Sequence, residues 1–174
     1  MRTMMDSANL QVRQAEYSNE ADMTALLGLL DAYARDPAGG GEGLSAFAKT
    51  HLADALRQRP TLFSVLAFDR SQQMLPVGLI NCVEGFSTFA CKPLVNVHDV
   101  VVLASHRGLR IGVLMLLEVE RLARQRGACK LTLEVLSGNH SAVALYQRIG
   151  FENYQLDPSM GHASFMQKWL VGSD

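Results

Sequence analysis

The residues V-V-V-L-A-S-H-R-G-L-R-I-G-V-L-M, positions 100–115, hold a change of structural period. Val100, Val101, Val102 and Leu103 read as a buried strand, because β-branched and apolar side chains pack well on a pleated surface. After Gly112 the residues Leu116, Val119, Leu122 and Ala123 recur at helical spacing, and Glu120 with Arg124 makes an i,i+4 pair on the outer side. A short loop joins the two. A helix start leaves several backbone N–H groups unpaired and carries partial positive charge, so a loop turning into one makes an anion site. Gly108 and Gly112 permit close approach of a phosphate, and Arg107 and Arg110 add charge suited to a pyrophosphate. The loop is no P-loop and no dinucleotide fingerprint, since G-K-[ST] and G-x-G-x-x-G are both absent. A plain strand-to-helix turn with a glycine for geometry is the alternative.

Outward from this junction the elements alternate. Residues 10–17 alternate as a first strand. Ser18 or Asn19 can cap a helix carrying Met23, Leu26, Leu27 and Leu30, which must end near Arg35 because Asp36-Pro37 and Gly39-Gly40-Gly41 cannot continue it. A second helix with Leu44, Phe47, Ala48, Leu52, Ala55 and Leu56 on one face stops at Pro60. Strands follow at about 62–68, 77–86 and 94–103, the first two joined by S-Q-Q-M-L-P. Beyond Gly127, K-L-T-L-E-V-L reads as a buried strand, 139–148 as a short helix closed by Gly150, and 164–170 as a last strand. The order β-α-α-β-β-β-α-β-α-β describes one α/β (α+β) domain, residues 1–174, with a mixed sheet.

The chain's 174 residues, 48% hydrophobic and 19% charged, suit one globular core and exclude a disordered or fibrous protein. No apolar run is long enough to span a membrane, and the N-terminal residues lack the apolar core of a secretory signal. Three cysteines without a C-x-x-C pair offer neither a disulfide framework nor a zinc knuckle, and the histidines lack metal spacing. A cytoplasmic protein without a metal, membrane or nucleic-acid partner is expected. The net charge of −1 is uneven: residues 106–130 carry a local +4, leaving −5 elsewhere. That division suits an anionic cofactor and a cationic second substrate, or reflects a solvated helix face.

A second block, G-N-H-S-A-V-A-L-Y-Q-R-I-G-F, stands one helix and one strand after the loop. Together the two resemble the GNAT superfamily of acetyl-CoA-dependent N-acetyltransferases. The family's pattern Asn-x-x-Ala-x-x-Leu/Phe-Tyr-x-x-x-Gly-Phe is matched by Asn139, Ala142, Leu145, Tyr146, Gly150 and Phe151. Its loop pattern Arg/Gln-x-x-Gly-x-Gly/Ala is matched by Arg107 and Gly112, with Arg110 where the first glycine usually stands. A residue entering a helix with φ near −60° need not be glycine, so Arg110 is expected to be accommodated. The resemblance implies the GNAT fold, splayed between its fourth and fifth strands. Acetyl-CoA, the co-substrate, would lie along Val100, Val101 and Val102, its pyrophosphate on the amides of Gly108, Leu109, Arg110, Ile111, Gly112 and Val113. Asn139 and Ala142 would border the same molecule. A backbone N–H near Val100 would meet the thioester oxygen.

Direct acetyl transfer needs a neutral amine, although an alkylamine titrates at about 10.4, and an acid for a thiolate whose parent thiol titrates at about 8.5. The resemblance assigns Tyr146 as that acid. For the base, L-T-L-E-V puts Glu134 where N-terminal and ribosomal-protein acetyltransferases carry a glutamate. N-V-H-D-V-V-V is similar to the Glu-Asp-x-x-Val stretch of polyamine and glucosamine-phosphate acetyltransferases, with His98 for Glu and Asp99 for Asp. A water relay without a dedicated base is the third choice. Glu84 and Asp99, with Phe86, would receive a small-molecule amine, polyamine-like or amino-acid-like, and the glycines from Gly39 to Gly43 border that side as a closing loop. A protein N-terminal acetyltransferase and a non-catalytic acyl-CoA-binding or partner-binding module are the rival readings. Dimers are common in the family, and the stretch from Leu170 onward could help form a homodimer.

Overall fold

The computed structural model describes residues 9–36, 39–154, 157, 159, 163–168 and 170. They fall into two compact units, residues 1–133 and 134–174. The first holds β1 (Leu10–Gln14), α1 (Glu20–Ala34), α2 (Ala46–Arg57), β2 (Leu62–Asp69), β3 (Leu75–Ser87), β4 (Lys92–Val102), α3 (Ile111–Gln125) and β5 (Leu131–Leu133). The second holds α4 (His140–Arg148). The sheet order is β1-β2-β3-β4-β5, antiparallel except for the parallel pair β4–β5, so the expected mixed sheet is present.

Strand alternation divides the core. Leu66, Phe68, Leu79 and Val101 pack with Met23, Leu26 and Leu29 of α1 and Leu56 of α2. On the opposite face α3 lies close to the sheet, burying Ile111, Met115, Leu116, Val119 and Leu122. Gly78 permits that approach, since a Cβ there would meet Met115 Sδ and Cε at 2.8 Å and Val101 O at 3.2 Å. Asn19 caps α1, its Oδ1 accepting from the N–H of Ala21 (2.9 Å) and Asp22 (3.3 Å), and Ser45 caps α2 through Ala48 N–H at 3.1 Å. Asp22, only 2% exposed, receives Arg13 Nη1 and Nη2 at 2.6 and 2.7 Å and Glu16 N–H at 2.9 Å, tying β1 to the first turn of α1.

The register of β4 changes at His98: Asn81 faces Asp99 and Cys82 faces Val97, so His98 is an extra, bulged residue. Pairing with β5 covers only Val95–Val97 against Leu131–Leu133 and ends one residue before the bulge, whereas β4 continues to Val102. The pairing thus ends beside the bulge in β4, where the resemblance implied the splay. The expected strand K-L-T-L-E-V-L is shortened as well. The ladder stops at Leu133, and Glu134, Val135 and Leu136 are exposed.

The expected last strand over 164–170 does not form among the described residues there. Phe165, Met166 and Leu170 are all exposed, and an extended segment with no buried face gains little apolar stabilisation. Trp169 and the stretch 171–174 offered for a homodimer lie outside the described residues. Among the described residues no helix is long and apolar enough to cross a membrane.

Candidate active site

The strand-loop-helix junction is built as the sequence suggests. After β4 a 3-10 turn, Ala104–His106, leads through Gly108 at φ +83° into α3. Arg110, the residue before α3, makes no capping bond, and the first turn carries no acidic side chain. The helix start thus has no side-chain cap from Arg110 and no acidic side chain of its own first turn to compete with an anion. Beneath the loop His106 is buried at 6% exposure beside Asp69 at 2%. Gln72 Nε2 donates to Asp69 Oδ2 at 2.6 Å and lies 3.2 Å from His106 Nε2. His106 Nε2 also lies 3.4 Å from Asp69 Oδ2, and its Nδ1 lies 2.8 Å from Ser105 Oγ. Asp69 also accepts from Ser71 N–H and Oγ–H at 2.8 and 2.6 Å. Foremost the Ser71 hydroxyl, then Gln72, hold its carboxyl below the usual range against the opposing effect of burial. These bonds fasten the end of β2 to the loop.

Two arginines differ from expectation. Arg110 has φ +63° and ψ 10°, the left-handed region, and not the φ near −60° expected for it. The chain must reverse there to enter α3, which is the physical reason glycine suits this position. The side chain of Arg107 does not reach forward to an anion. Its Nε donates to Val102 O at 3.1 Å and its Nη2 to Asp36 at 2.8 Å, so it ties the loop to the end of α1. Arg110→Gly should raise stability by about 0.5–1 kcal/mol, the relief of left-handed strain less glycine's greater freedom in the unfolded chain. Urea unfolding measures it, and a lower midpoint would mean that the arginine side chain outweighs its backbone strain.

Along β4, Val101 is buried in the α1-side core while Val100 and Val102 are half-buried. Asp99 receives Asn81 Nδ2 at 3.0 Å, Asn81 Oδ1 receives Ser64 Oγ at 2.7 Å, and Tyr17 Oη lies 2.8 Å from Ser64 Oγ. Burial first, then the negative charges of Asp99 and Asp36, push the Tyr33 phenol up, so Asp99 acts on this side electrostatically. His98 is exposed at the bulge.

Glu84 does not join Asp99. Three residues on from Asn81, it lies on the opposite face and pairs with Arg126 at 3.0 Å, whose guanidinium sits 4.3 Å above the Phe63 ring. Phe86 falls on the same side as Glu84 and is 59% exposed. In the glycine turn Gly40 and Gly41 have φ +114° and +85°, and its far end is held by Leu44 N–H on Asp31 Oδ1 at 2.8 Å. Residues 37 and 38 of that turn are outside the described residues.

In the second unit the Asn block is first of all a folding code for α4. Asn139, expected to border the co-substrate, is its cap, Oδ1 accepting from Ala142 N–H at 3.2 Å and Ser141 Oγ–H at 3.0 Å. Gly150 at φ +96° closes the helix, with Phe151 N–H on Tyr146 O at 3.0 Å. The Phe151 ring meets that of Tyr146 edge-on, centroids 5.9 Å apart, and Tyr146 is buried. Glu134 opens this unit, exposed and outside any strand.

The sequence reading missed Tyr17, Ser64 and Asn81. The signal for two of them is a polar residue inside an apolar strand: L-F-S-V-L-A-F and G-L-I-N-C-V.

Residues 24–151 match the acetyltransferase (GNAT) family. A streptothricin acetyltransferase of Streptomyces lavendulae is 32% identical over 93 residues, which cover 52% of this chain and 49% of that enzyme; the match thus spans about half of the relative's length. An aminoglycoside acetyltransferase from an uncultured soil metagenomic sample, solved in complex with sisomicin, superposes with a TM-score of 0.73 at 14% identity, covering 93% of this chain and 99% of that one. A ribosomal-protein-alanine N-acetyltransferase from Brucella melitensis biovar Abortus 2308 gives 0.68 at 16% identity, with 92% and 99% covered. At such identities the two structures speak for the fold alone. With the family match running through most of its length, from α1 past α4, the chain belongs to the GNAT acetyltransferase family.

Proposed function

We propose that this protein is an acetyltransferase moving the acetyl group of acetyl-CoA to a primary amine of a small cationic molecule. The observation that carries the reading is the β4–β5 splay, open past Val97 and leading into the uncapped start of α3 behind Gly108. An extended arm can add to the main chain of Val100–Val102 as a further strand, and a pyrophosphate suits the amides from Gly108 to Val113. Acetyl-CoA supplies the acyl group on a thioester leaving group. The chain's residues do the rest. Asp99 receives the ammonium form of the acceptor. His98, exposed at the bulge, takes its proton directly or through water. The amine nitrogen then bonds to the carbonyl carbon while a main-chain N–H near Val100 holds the developing oxyanion. As the C–S bond breaks, Tyr146 gives its phenolic proton to the departing sulfur, and the second proton of the amine nitrogen restores the phenol as the amide forms. A streptothricin acetyltransferase among the relatives supports a polar, amine-rich acceptor.

Calorimetric titration is the direct test. Acetyl-CoA and CoA should bind in the micromolar range, and Arg110→Ala should weaken both about tenfold, as expected for one lost charge-assisted phosphate contact. No heat with either would defeat the donor assignment and favour a partner-binding module. Protein N-terminal acetylation is the second reading, favoured by Glu134 in its Leu-Glu-Val setting just past β5. A CoA-release assay separates the two: small amines stimulate release under the first reading, and N-terminal peptides under the second.

A further inference from the structure

The bonds from Tyr17 to Asp99 have a direction. An ionised Asp99 can only accept, so Asn81 must present its NH2 group to Oδ2, as the 3.0 Å contact records. The amide oxygen of Asn81 then faces Ser64, whose single hydroxyl hydrogen goes to it at 2.7 Å. Ser64 has no hydrogen left, and Tyr17 must therefore donate to Ser64 Oγ at 2.8 Å. The polarity is thus fixed across the β1–α1 junction and three strands, Tyr17 to Ser64 to Asn81 to Asp99, and each donor polarises the next. Reversing it would require a protonated Asp99.

The chain's middle is dry, with Ser64 fully buried, and Tyr17 packs against the α1-side core. Its end is not, because Asp99 is partly exposed beside the His98 bulge, where β4 has left β5. Among the described residues Asp99 Oδ2 accepts from Asn81, and Oδ1 makes no hydrogen bond. Two polar residues in the interiors of apolar strands are costly unless fully paired, and here their pairing leads to one carboxylate oxygen.

We infer that Asn81, Ser64 and Tyr17 are positioning residues, a one-way chain of donors holding Asp99 Oδ2 so that Oδ1 meets the ammonium group of a cationic acceptor. The inference rests on the acetyltransferase reading and adds what orients the acceptor. The chain touches neither the acceptor nor the donor, so its loss moves acceptor affinity and leaves the chemical step alone.

The test uses the near-isosteric pair Ser64→Thr, which keeps the hydroxyl, and Ser64→Val, which does not. The acceptor is whichever of sisomicin, streptothricin, spermidine and lysine the wild-type protein acetylates best. Ser64→Thr should stay within about twofold of wild type, while Ser64→Val should raise the acceptor KM about tenfold, the worth of one lost positioning bond. The kcat and the calorimetric acetyl-CoA affinity should stay within about twofold in both. Equal KM values for the two variants would overturn the inference. Because Ser64 is fully buried and either variant can fail to fold, Tyr17→Phe, which adds no volume, is measured beside them and should raise the KM about two- to threefold. An unchanged KM there also counts against the chain. A second readout needs no turnover. The side-chain amide proton of Asn81 should move upfield in the NMR spectrum of Asp99→Asn, and an unmoved signal would overturn the chain. A wild-type protein that acetylates none of the four amines defeats the acetyltransferase reading by itself, and the chain then stands or falls on the amide signal.

Discussion

Replacing Tyr146 by Phe should lower kcat by about two to four orders of magnitude, the range of general-acid catalysis, with acetyl-CoA affinity unchanged. Under the proposed mechanism the leaving thiolate must be protonated as the C–S bond breaks. A phenol is protonated at neutral pH, and phenylalanine keeps the ring while removing the proton. The ring is what α4 uses for folding. Its edge-on contact with Phe151 and the Gly150 turn do not involve the hydroxyl, so the variant should unfold within about 1 kcal/mol of wild type. Single-turnover acetyl transfer with calorimetric binding beside it measures both quantities. Unchanged turnover would sink the assignment of Tyr146 as the acid, whereas weakened acetyl-CoA binding would recast it as a binding residue.

Asp22→Ala should cost about 3 kcal/mol of stability, because it leaves the Arg13 guanidinium without its bidentate partner. The low end of the range for broken buried pairs applies, since Asp22 is 2% exposed but the Arg13 side chain is 34% exposed and can recover some hydration. For a chain of this size the midpoint of thermal unfolding should fall by roughly 6–12 °C. The hydrogen bonds from Arg13 foremost, against the opposing effect of burial, hold the Asp22 carboxyl below its usual range. A carboxylate with a depressed folded value stabilises the fold above its unfolded value of about 3.9 and loses that contribution as pH falls through the folded one. The gap between Asp22→Ala and wild type should therefore be full at pH 7 and narrow as the pH drops below about 4. Urea midpoints at several pH values check it, and a gap that ignores pH would mean that the cost is packing and not charge. Asp69, depressed likewise by its Ser71 and Gln72 bonds, should add to the acid sensitivity of wild type.

The start of α3 is written in Gly108, Ile111 and the helical stripe after it, because glycine geometry and helix period act over a few residues. The same holds for α4, where Asn139, Gly150 and Phe151 cap, close and cover one short helix. Both helices of the N-terminal half begin on their polar caps, Asn19 and Ser45. The expected last strand over 164–170 fails for the opposite reason: a strand forms only where a neighbouring strand pairs with it, and none does among the described residues there.

Composition and period were enough for the mixed sheet and its element order as far as α4, since these follow from short-range preferences, and the two motif blocks carry the resemblance to the family. The chemistry of the individual side chains came only with the folded chain. Arg107 spends its charge on Asp36, 71 residues away, and Glu84 on Arg126, 42 residues away. Asp99 is oriented by Asn81 and Ser64 from two other strands. A carboxylate's neighbours depend on strand register, and a single bulge such as that at His98 resets the register of everything beyond it. No local pattern in a sequence carries that information, which is why the site's residues could be nominated from the chain and their partners could not.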